Sequence, residues 1–329
     1  MLLKKSGWVW PLLLLLIVLA VLMSLAIGRY PLSLASVLKV IFNPMEDDIA
    51  NNIVLSVRLP RVLLALMVGA GLAISGACFQ GVFQNPLVSP DVLSVSSGSA
   101  FGAVLGIMTL NTGWSNTLFA LVFGCVSVFL TYSMARIRGQ VTALSLVLSG
   151  IIIAAFFNAL ISVMKYVADT ETQLPTITYW LLGSFAAATY QHVLTIVAPV
   201  LLGAAVLLAM AYKINILSLG DEEARILGIN PVHSRIIIIA AATLVTAACV
   251  TVTGIVGWVG LVIPHIARMI VGPDHGKLLP ASLLMGASFM ALVDLLARTV
   301  SPSEIPVGIL TALLGAPFFA ILFRKTQGG

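Results

Sequence analysis

The densest group of ionisable side chains lies in the stretch LSLGDEEARILGIN, residues 217–230. Asp221, Glu222 and Glu223 are consecutive, and Arg225 follows closely. Carboxylates and a guanidinium at this spacing can form ion pairs with a partner, although a run of charges is commonly a solvated loop. The residues alone therefore leave two interpretations open: a connecting loop, or a short helix whose charged groups meet another surface.

Helix-terminating residues flank these charges. Ser218 is a suitable N-cap with acids in the first turn behind it, and Gly228 suits the position after a helix. Asn230 and Pro231 suit the cap and first residue of the next helix. The spacing predicts a helix of about nine residues, about 13 Å long. Glu223 falls within its apolar arc, where a carboxylate needs a partner. The other residues of that arc are Leu219, Ala224, Ile226 and Leu227.

Two further patterns fail as chemical motifs. GPDHGK, residues 272–277, has one residue fewer between its glycines than a phosphate-binding loop, and Leu278 follows where Ser or Thr belongs. No HExxH zinc motif is present, and the histidines form no ligand pair at helical spacing. We therefore predict no catalytic residue, no metal site and no cofactor bound by this chain.

The elements that must position these residues are membrane spans. The chain is 60% hydrophobic and 9% charged, whereas a soluble domain carries about 25% charged residues. A membrane-spanning helix needs about 20 apolar residues. The runs that meet this description are 8–28, 61–83, 92–110, 115–135, 142–166, 190–212, 233–253, 257–271, 278–298 and 306–323. The sequence predicts an all-α polytopic membrane protein of about ten spans, with residues 1–329 forming a single transmembrane domain.

The distribution of basic residues predicts the orientation. If Lys4 and Lys5 are cytoplasmic and the spans alternate, eleven of the 17 basic residues face the cytoplasm, as the positive-inside rule requires. Both termini are then cytoplasmic. The net charge of +5 reflects membrane orientation, and we do not expect a nucleic-acid partner.

Four long stretches, in order, resemble the permeases of iron–siderophore, haem and cobalamin ABC importers. They are VRLPRVLLALMVGAGLAISGACFQGVFQNPLVSPDVLSVSSGSAFGA (57–103), GDEEARILGIN (220–230), GIVGWVGLVIPHIARMIVGPDHGKLLPAS (254–282) and EIPVGILTALLGAPFFAILFRK (304–325). The resemblance implies a homodimer of ten-helix, cobalamin-permease-like subunits in a bacterial or archaeal cytoplasmic membrane. It also implies two cytoplasmic ABC ATPases that bind ATP and Mg²⁺, and a periplasmic or lipid-anchored binding protein.

In that family a short helix between spans six and seven docks into the ATPase. The resemblance therefore makes residues 214–231 a coupling segment. The residues it assigns to coupling are Leu219, Gly220, Asp221, Glu222, Glu223, Ala224, Arg225 and Gly228.

Similar permeases hold carboxylates of the binding protein with arginines at the outer ends of spans, which implies this role for Arg58, Arg61 and Arg298. Arginine fits because it is permanently charged and grips a carboxylate bidentately. The alternatives are interfacial snorkelling and an intrahelical pair between Asp294 and Arg298.

The family's fifth span flanks the translocation pathway and ends in a cytoplasmic gate, which makes Thr142 and Ser145 gate candidates. The clustered small residues of SVSSGSAFGAVLG, with Gly98, Gly102 and Gly106, either line a weakly polar conduit or pack against neighbours. The further pathway candidates are Ser96, Ser97, Gln84 and Asn85.

The rival function is an ion-coupled secondary transporter, which generally uses ionisable groups near mid-membrane. The predicted spans hold almost none, since Lys165 and Asp294 lie near span ends. The sequence therefore favours an importer driven by a partner ATPase. Its cargo is expected to be an iron–siderophore, with haem, cobalamin or an oxyanion such as molybdate as alternatives.

Overall fold

In the part of the chain that the structure, a computed structural model, describes, every regular element is helical. The described residues are 7–43, 49–110, 112–136 and 141–327, with side chains up to residue 321. Lys4 and Lys5, which set the predicted orientation, lie outside them.

Fifteen α-helices occur in these described residues. In chain order they are α1 (Val9–Ala26), α2 (Leu34–Phe42), α3 (Ile49–Asn51), α4 (Leu59–Val82), α5 (Val95–Thr109), α6 (Gly113–Ala135), α7 (Ala143–Val167), α8 (Gln173–Leu181), α9 (Tyr190–Ala209), α10 (Ala211–Leu217), α11 (Asp221–Ile226), α12 (Pro231–Thr253), α13 (Val259–Val271), α14 (His275–Thr299) and α15 (Val307–Gln327). A π-helical stretch, Asn52–Arg58, joins α3 to α4, and a 3₁₀ turn, Pro90–Leu93, precedes α5.

The ten predicted spans correspond to α1, α4 to α7, α9 and α12 to α15. Within the described residues, seven helices are long and apolar enough to cross a membrane, and the one that contains α4 is continuous from Ile49 to Val82. The helices α5, α13 and α15 are shorter apolar helices. The prediction of an all-α, multi-span fold is confirmed.

The sequence analysis missed α2, α3, α8 and α10. The helices α2 and α8 have nine residues each, α10 has seven and α3 has three, well short of the roughly 20 apolar residues that mark a span. They connect spans and lie beside them, so a search for membrane-crossing runs does not detect them.

The helix α4 lies at the centre of the bundle, between α14 and α13. Gly69 of α4 faces Gly286 of α14, and Gly76 of α4 faces Gly260 of α13, with no room for a Cβ at either contact. Small residues at such positions let helix backbones approach closely, which is how helices in lipid gain packing energy. These contacts hold the middle of α4 in fixed relation to α13 and α14.

Replacing Gly76 by Val should destabilise the protein, because the side chain would overlap the backbone of Gly260. Overpacking of this kind costs about 1–3 kcal/mol. The measurement is the thermal midpoint of the detergent-purified protein. Gly113→Ala is the control, since a Cβ there meets nothing within 4 Å; equal midpoints for both variants would contradict the packing described.

Candidate functional site

The coupling segment contains a helix shorter than the sequence predicts. The helix α11 has six residues and begins after Gly220, whose φ of 135° is inaccessible to most side chains. Ser218 does not cap it, because its Oγ donates to the carbonyl of Asn215 at 2.6 Å and so closes α10. The predicted nine-residue helix is therefore wrong: the chain turns at 218–220 and divides the segment into two short helices.

The predicted end of this helix is confirmed. Gly228 has a φ of 76°, and the amide of Ile229 donates to the carbonyl of Ala224 at 2.8 Å, the backbone pattern that closes a helix through a left-handed residue. The side chain of Asn230 then accepts from the amide of His233 at 3.1 Å, and Pro231 is the first residue of α12.

One side of α11 is fixed to the rest of the chain. The guanidinium of Arg235 on α12 donates to both carboxylate oxygens of Asp221, at 2.8 and 3.3 Å. Arg235 is almost fully buried, and Ala224 is buried beneath the helix. The sequence analysis assigned no role to Arg235, although its place five residues into α12, close along the chain to α11, was a signal that it could face α11.

The other side of α11 is exposed. Ile226 is 83% exposed and Leu227 is 55% exposed, although both belong to the arc predicted to be apolar. Glu223 is also exposed, as are Glu222 and Arg225, and none of the three forms an ion pair within the described residues. Leucine and isoleucine beside unpaired charges, on a helix anchored from behind, form a surface suited to a protein partner.

Near the first residue of α4, Arg61 lies in an ion-pair cluster. Its guanidinium is 2.8 Å from a carboxylate oxygen of Asp294, which is 1% exposed, and 3.0 Å from one of Glu304. Arg298 lies 3.7 Å from the other oxygen of Asp294, so the intrahelical pair predicted as an alternative is present. We call Arg58, Arg61, Asp294, Arg298 and Glu304 the arginine cluster.

The remaining arginines of this cluster close the end of α1. Arg58 donates to the carbonyls of Leu25, at 2.5 Å, and Ala26, at 2.9 Å, and Arg298 donates to that of Ser24. The last carbonyls of a helix lack partners within it and carry its negative dipole. Two cations satisfy them here. Arg58, Arg61 and Arg298 are each at most 7% exposed, so binding-protein docking by them stays a prediction, and their observed contacts lie within the chain.

The proposed gate residues form a cap. The Thr142 hydroxyl accepts from the amide of Ser145 at 3.1 Å, and the Ser145 hydroxyl accepts from that of Thr142 at 3.0 Å. This reciprocal pair begins α7. Thr142 is exposed and Ser145 half-buried, and their role in a gate stays a prediction.

The other pathway candidates are divided between two places. Ser96 is buried and donates to Asp91, while Ser97 is half-buried on α5. Gln84 and Asn85 are exposed just after α4. The amide of Gln84 donates to the carbonyl of Leu217 at 2.9 Å, which brings it to the coupling segment.

The glycines of the small-residue cluster pack against a neighbour. Gly98, Gly102 and Gly106 of α5 face α6 so closely that a Cβ at any of them would meet α6 atoms. Of the two predicted roles, helix packing therefore holds for these three.

The chain is similar to known proteins in both sequence and fold. The FecCD transport family matches residues 15–325. The molybdate import system permease protein MolB of Haemophilus influenzae is 41% identical over 319 residues, covering 96% of this chain and 95% of that protein. A Helicobacter pylori protein named for iron chelatin transport is 42% identical over 277 residues, covering 84% and 83%. A solved inward-facing structure assigned to the metal-chelate type of ABC transporter superposes with a TM-score of 0.89 at 41% identity, covering 98% and 100%.

Proposed function

The chain belongs to the FecCD transport family and is an ABC importer permease, and we propose that α11 is the element through which a partner ATPase drives it. The observation that carries this proposal is the exposed face of α11. Ile226 and Leu227 are exposed beside unpaired charges. The opposite side is fixed by the ion pair between Asp221 and Arg235 and by the buried Ala224. A helix held this way can transmit force, whereas a mobile loop would absorb it.

In this proposal two ATPase subunits bind ATP and Mg²⁺ and contribute the hydrolysis, and this chain contributes the path through the membrane. Two copies of the chain form that path. The coupling segment and both termini face the cytoplasm of a bacterial or archaeal cell, in agreement with the distribution of basic residues. Thr142, Ser145, Ser96, Ser97, Gln84 and Asn85 belong to the pathway and its inner gate.

An external binding protein docks, in the same proposal, at the end of the bundle that carries the arginine cluster. Arg58, Arg61 and Arg298 are buried, so an incoming carboxylate reaches them only by displacing a present partner. Arg29 is the accessible cation at the edge of this cluster: its side chain is 63% exposed and 4.0 Å from Glu304.

Arg29→Glu should weaken docking of the binding protein, and by more at low salt, because exposed charges are screened within about 10 Å at 0.1 M ionic strength. The measurement is the dissociation constant of the binding protein for the permease in nanodiscs at two salt concentrations. Lys165→Glu, at the end of a different helix, is the control. If Arg29→Glu binds the binding protein as tightly as the wild type at low salt, this end of the bundle is not the docking surface.

The cargo is proposed to be a metal chelate, with iron–siderophore as first candidate and the molybdate oxyanion as second. Molybdate is the second candidate because MolB is 41% identical over 319 residues. Uptake of ⁵⁵Fe–ferrichrome and of ⁹⁹Mo–molybdate by proteoliposomes containing the complete complex separates the two. ATP-dependent uptake of the first alone supports the chelate, and uptake of the second alone replaces it with the oxyanion.

A further inference from the structure

The coupling segment contacts the rest of the bundle at a second place, besides the ion pair of Asp221. Asn215 on α10 lies against the turn that leads into α14. Its side-chain amide donates to a carboxylate oxygen of Asp274 at 2.7 Å, and its side-chain oxygen accepts from the backbone amide of His275 at 2.8 Å. The Nδ1 atom of His275 also lies 2.7 Å from that oxygen. One side chain thus uses both its donor and its acceptor on two consecutive residues.

The residues that Asn215 contacts are themselves fixed to long helices. Asp274 caps α14 by accepting from the amide of Gly276 at 3.0 Å. The hydrogen bonds from Asn215 and Gly276 hold the pKa of Asp274 below its usual value, so the carboxylate is charged at neutral pH. The ring of His275 is buried and packs on α4 at Gly81, where a Cβ would contact it. A movement of α10 therefore acts on the first turn of α14 and on α4 together.

Resting on the proposed function, we propose that Asn215 is a positioning residue that transmits displacement of the coupling segment to α14. The helix α10 also packs on α14 through buried apolar residues, Ile214 against the cluster that holds Leu278 and Leu279, but apolar packing is non-directional, whereas the hydrogen bonds of Asn215 fix one register. The bidentate contact makes α10 and the start of α14 one rigid unit. Because α14 packs along α4 and carries Asp294 and Arg298 at its far end, this unit connects the ATPase side of the bundle to the arginine cluster.

The test exchanges donor and acceptor across this contact. Asn215→Asp removes the amide donor and places a carboxylate against Asp274, so it should break the contact through repulsion. Adding Asp274→Asn restores a donor opposite the new carboxylate. Since Asp274 uses one oxygen for both Asn215 and Gly276, the asparagine side chain rotates so that its nitrogen faces residue 215 and its oxygen caps Gly276. Asn116→Asp is the matched control, because Asn116 is a half-buried amide whose side chain, within the described residues, forms a hydrogen bond only with its neighbour Ser115.

The readout is the distance between the two subunits' spin labels in the complete complex with its ATPases, with and without vanadate-trapped nucleotide. One label replaces exposed Tyr212 on α10 and, in a separate sample, one replaces exposed Lys277 on α14, after substitution of the three native cysteines. In the wild type and in Asn116→Asp, trapping should shift both distances. In Asn215→Asp the shift at 212 should remain and the shift at 277 should be lost, and Asn215→Asp with Asp274→Asn should regain it.

A shift at 277 that persists in Asn215→Asp would overturn the proposal, as would a wild type that shifts at 212 and not at 277. A merely structural role would weaken both shifts together, because the label at 212 reports that the complex is folded and engaged. If the distance changes at neither label in the wild type, the proposed ATPase coupling is contradicted instead. The two failures are thereby distinguishable.

Discussion

Replacing Glu223 by Lys should lower ATP-driven transport at least tenfold while leaving the permease folded and dimeric. Glu223 is exposed and unpaired within the described residues, so its charge is available to a partner. Reversal sets a cation against a surface that is complementary to an anion, and a loss of about 1.4 kcal/mol in association already corresponds to a factor of ten. The measurements are ligand-stimulated ATP hydrolysis and uptake by reconstituted complexes.

Glu171→Lys is the matched control, because Glu171 is an exposed carboxylate in the loop before α8, far along the chain from α11. It should leave both activities near those of the wild type. Size-exclusion chromatography of the Glu223→Lys permease should show an unchanged elution volume. Wild-type uptake by Glu223→Lys would count against α11 as the point of contact with the ATPase.

Replacing Asp294 by Ala should destabilise the permease more than any other single substitution considered. Asp294 is 1% exposed, lies 2.8 Å from the guanidinium of Arg61 and also faces Arg298. Without the Asp294 carboxylate, the buried cations Arg61 and Arg298 share one remaining carboxylate, that of Glu304. Of these two arginines, Glu304 pairs only with Arg61. Breaking a buried pair in this way costs about 3–5 kcal/mol.

The measurement for Asp294→Ala is the thermal midpoint in detergent, together with the yield of monodisperse protein. Glu171→Ala provides the control, since it removes a carboxylate that is exposed and outside any ion pair of the described chain. If the two variants melt at the same temperature, the arginine cluster does not hold α1, α4 and α14 together.

The spans and the ends of several helices could be predicted because their signals are local. A run of about 20 apolar residues marks a membrane helix wherever it occurs. Gly228, Asn230 and Pro231 mark the turn into α12 through their own backbone preferences. The intrahelical pair of Asp294 with Arg298 likewise follows from a four-residue spacing.

The burial of the arginines could not be predicted in the same way. Arg61 and Asp294 are 233 positions apart, and Arg58 meets the carbonyls of a helix that ends 32 residues earlier. From the sequence, an arginine at the end of a span is expected to lie at the membrane interface. Only the fold shows which elements cover it. Here the end of α1 and Glu304 cover the cluster.

The length of α11 was mispredicted for a different reason. Ser218 is a good cap in isolation, but it lies at the end of α10, where its hydroxyl satisfies the carbonyl of Asn215 instead. Because α10 was not recognised as a separate helix, the turn at Gly220 was also missed. With that turn, α11 is a separate helix of six residues, and its Ile226 is 83% exposed.

The central claim is that hydrolysis on a separate ATPase moves cargo through this permease. The most direct measurement is uptake of ⁵⁵Fe–ferrichrome and ⁹⁹Mo–molybdate by proteoliposomes, with the permease alone or with its ATPases and binding protein, under ATP or under an imposed proton or sodium gradient. We predict uptake of one of them by the complete complex with ATP, and none by the permease alone. Gradient-driven uptake by the permease alone would contradict the claim and restore the secondary transporter.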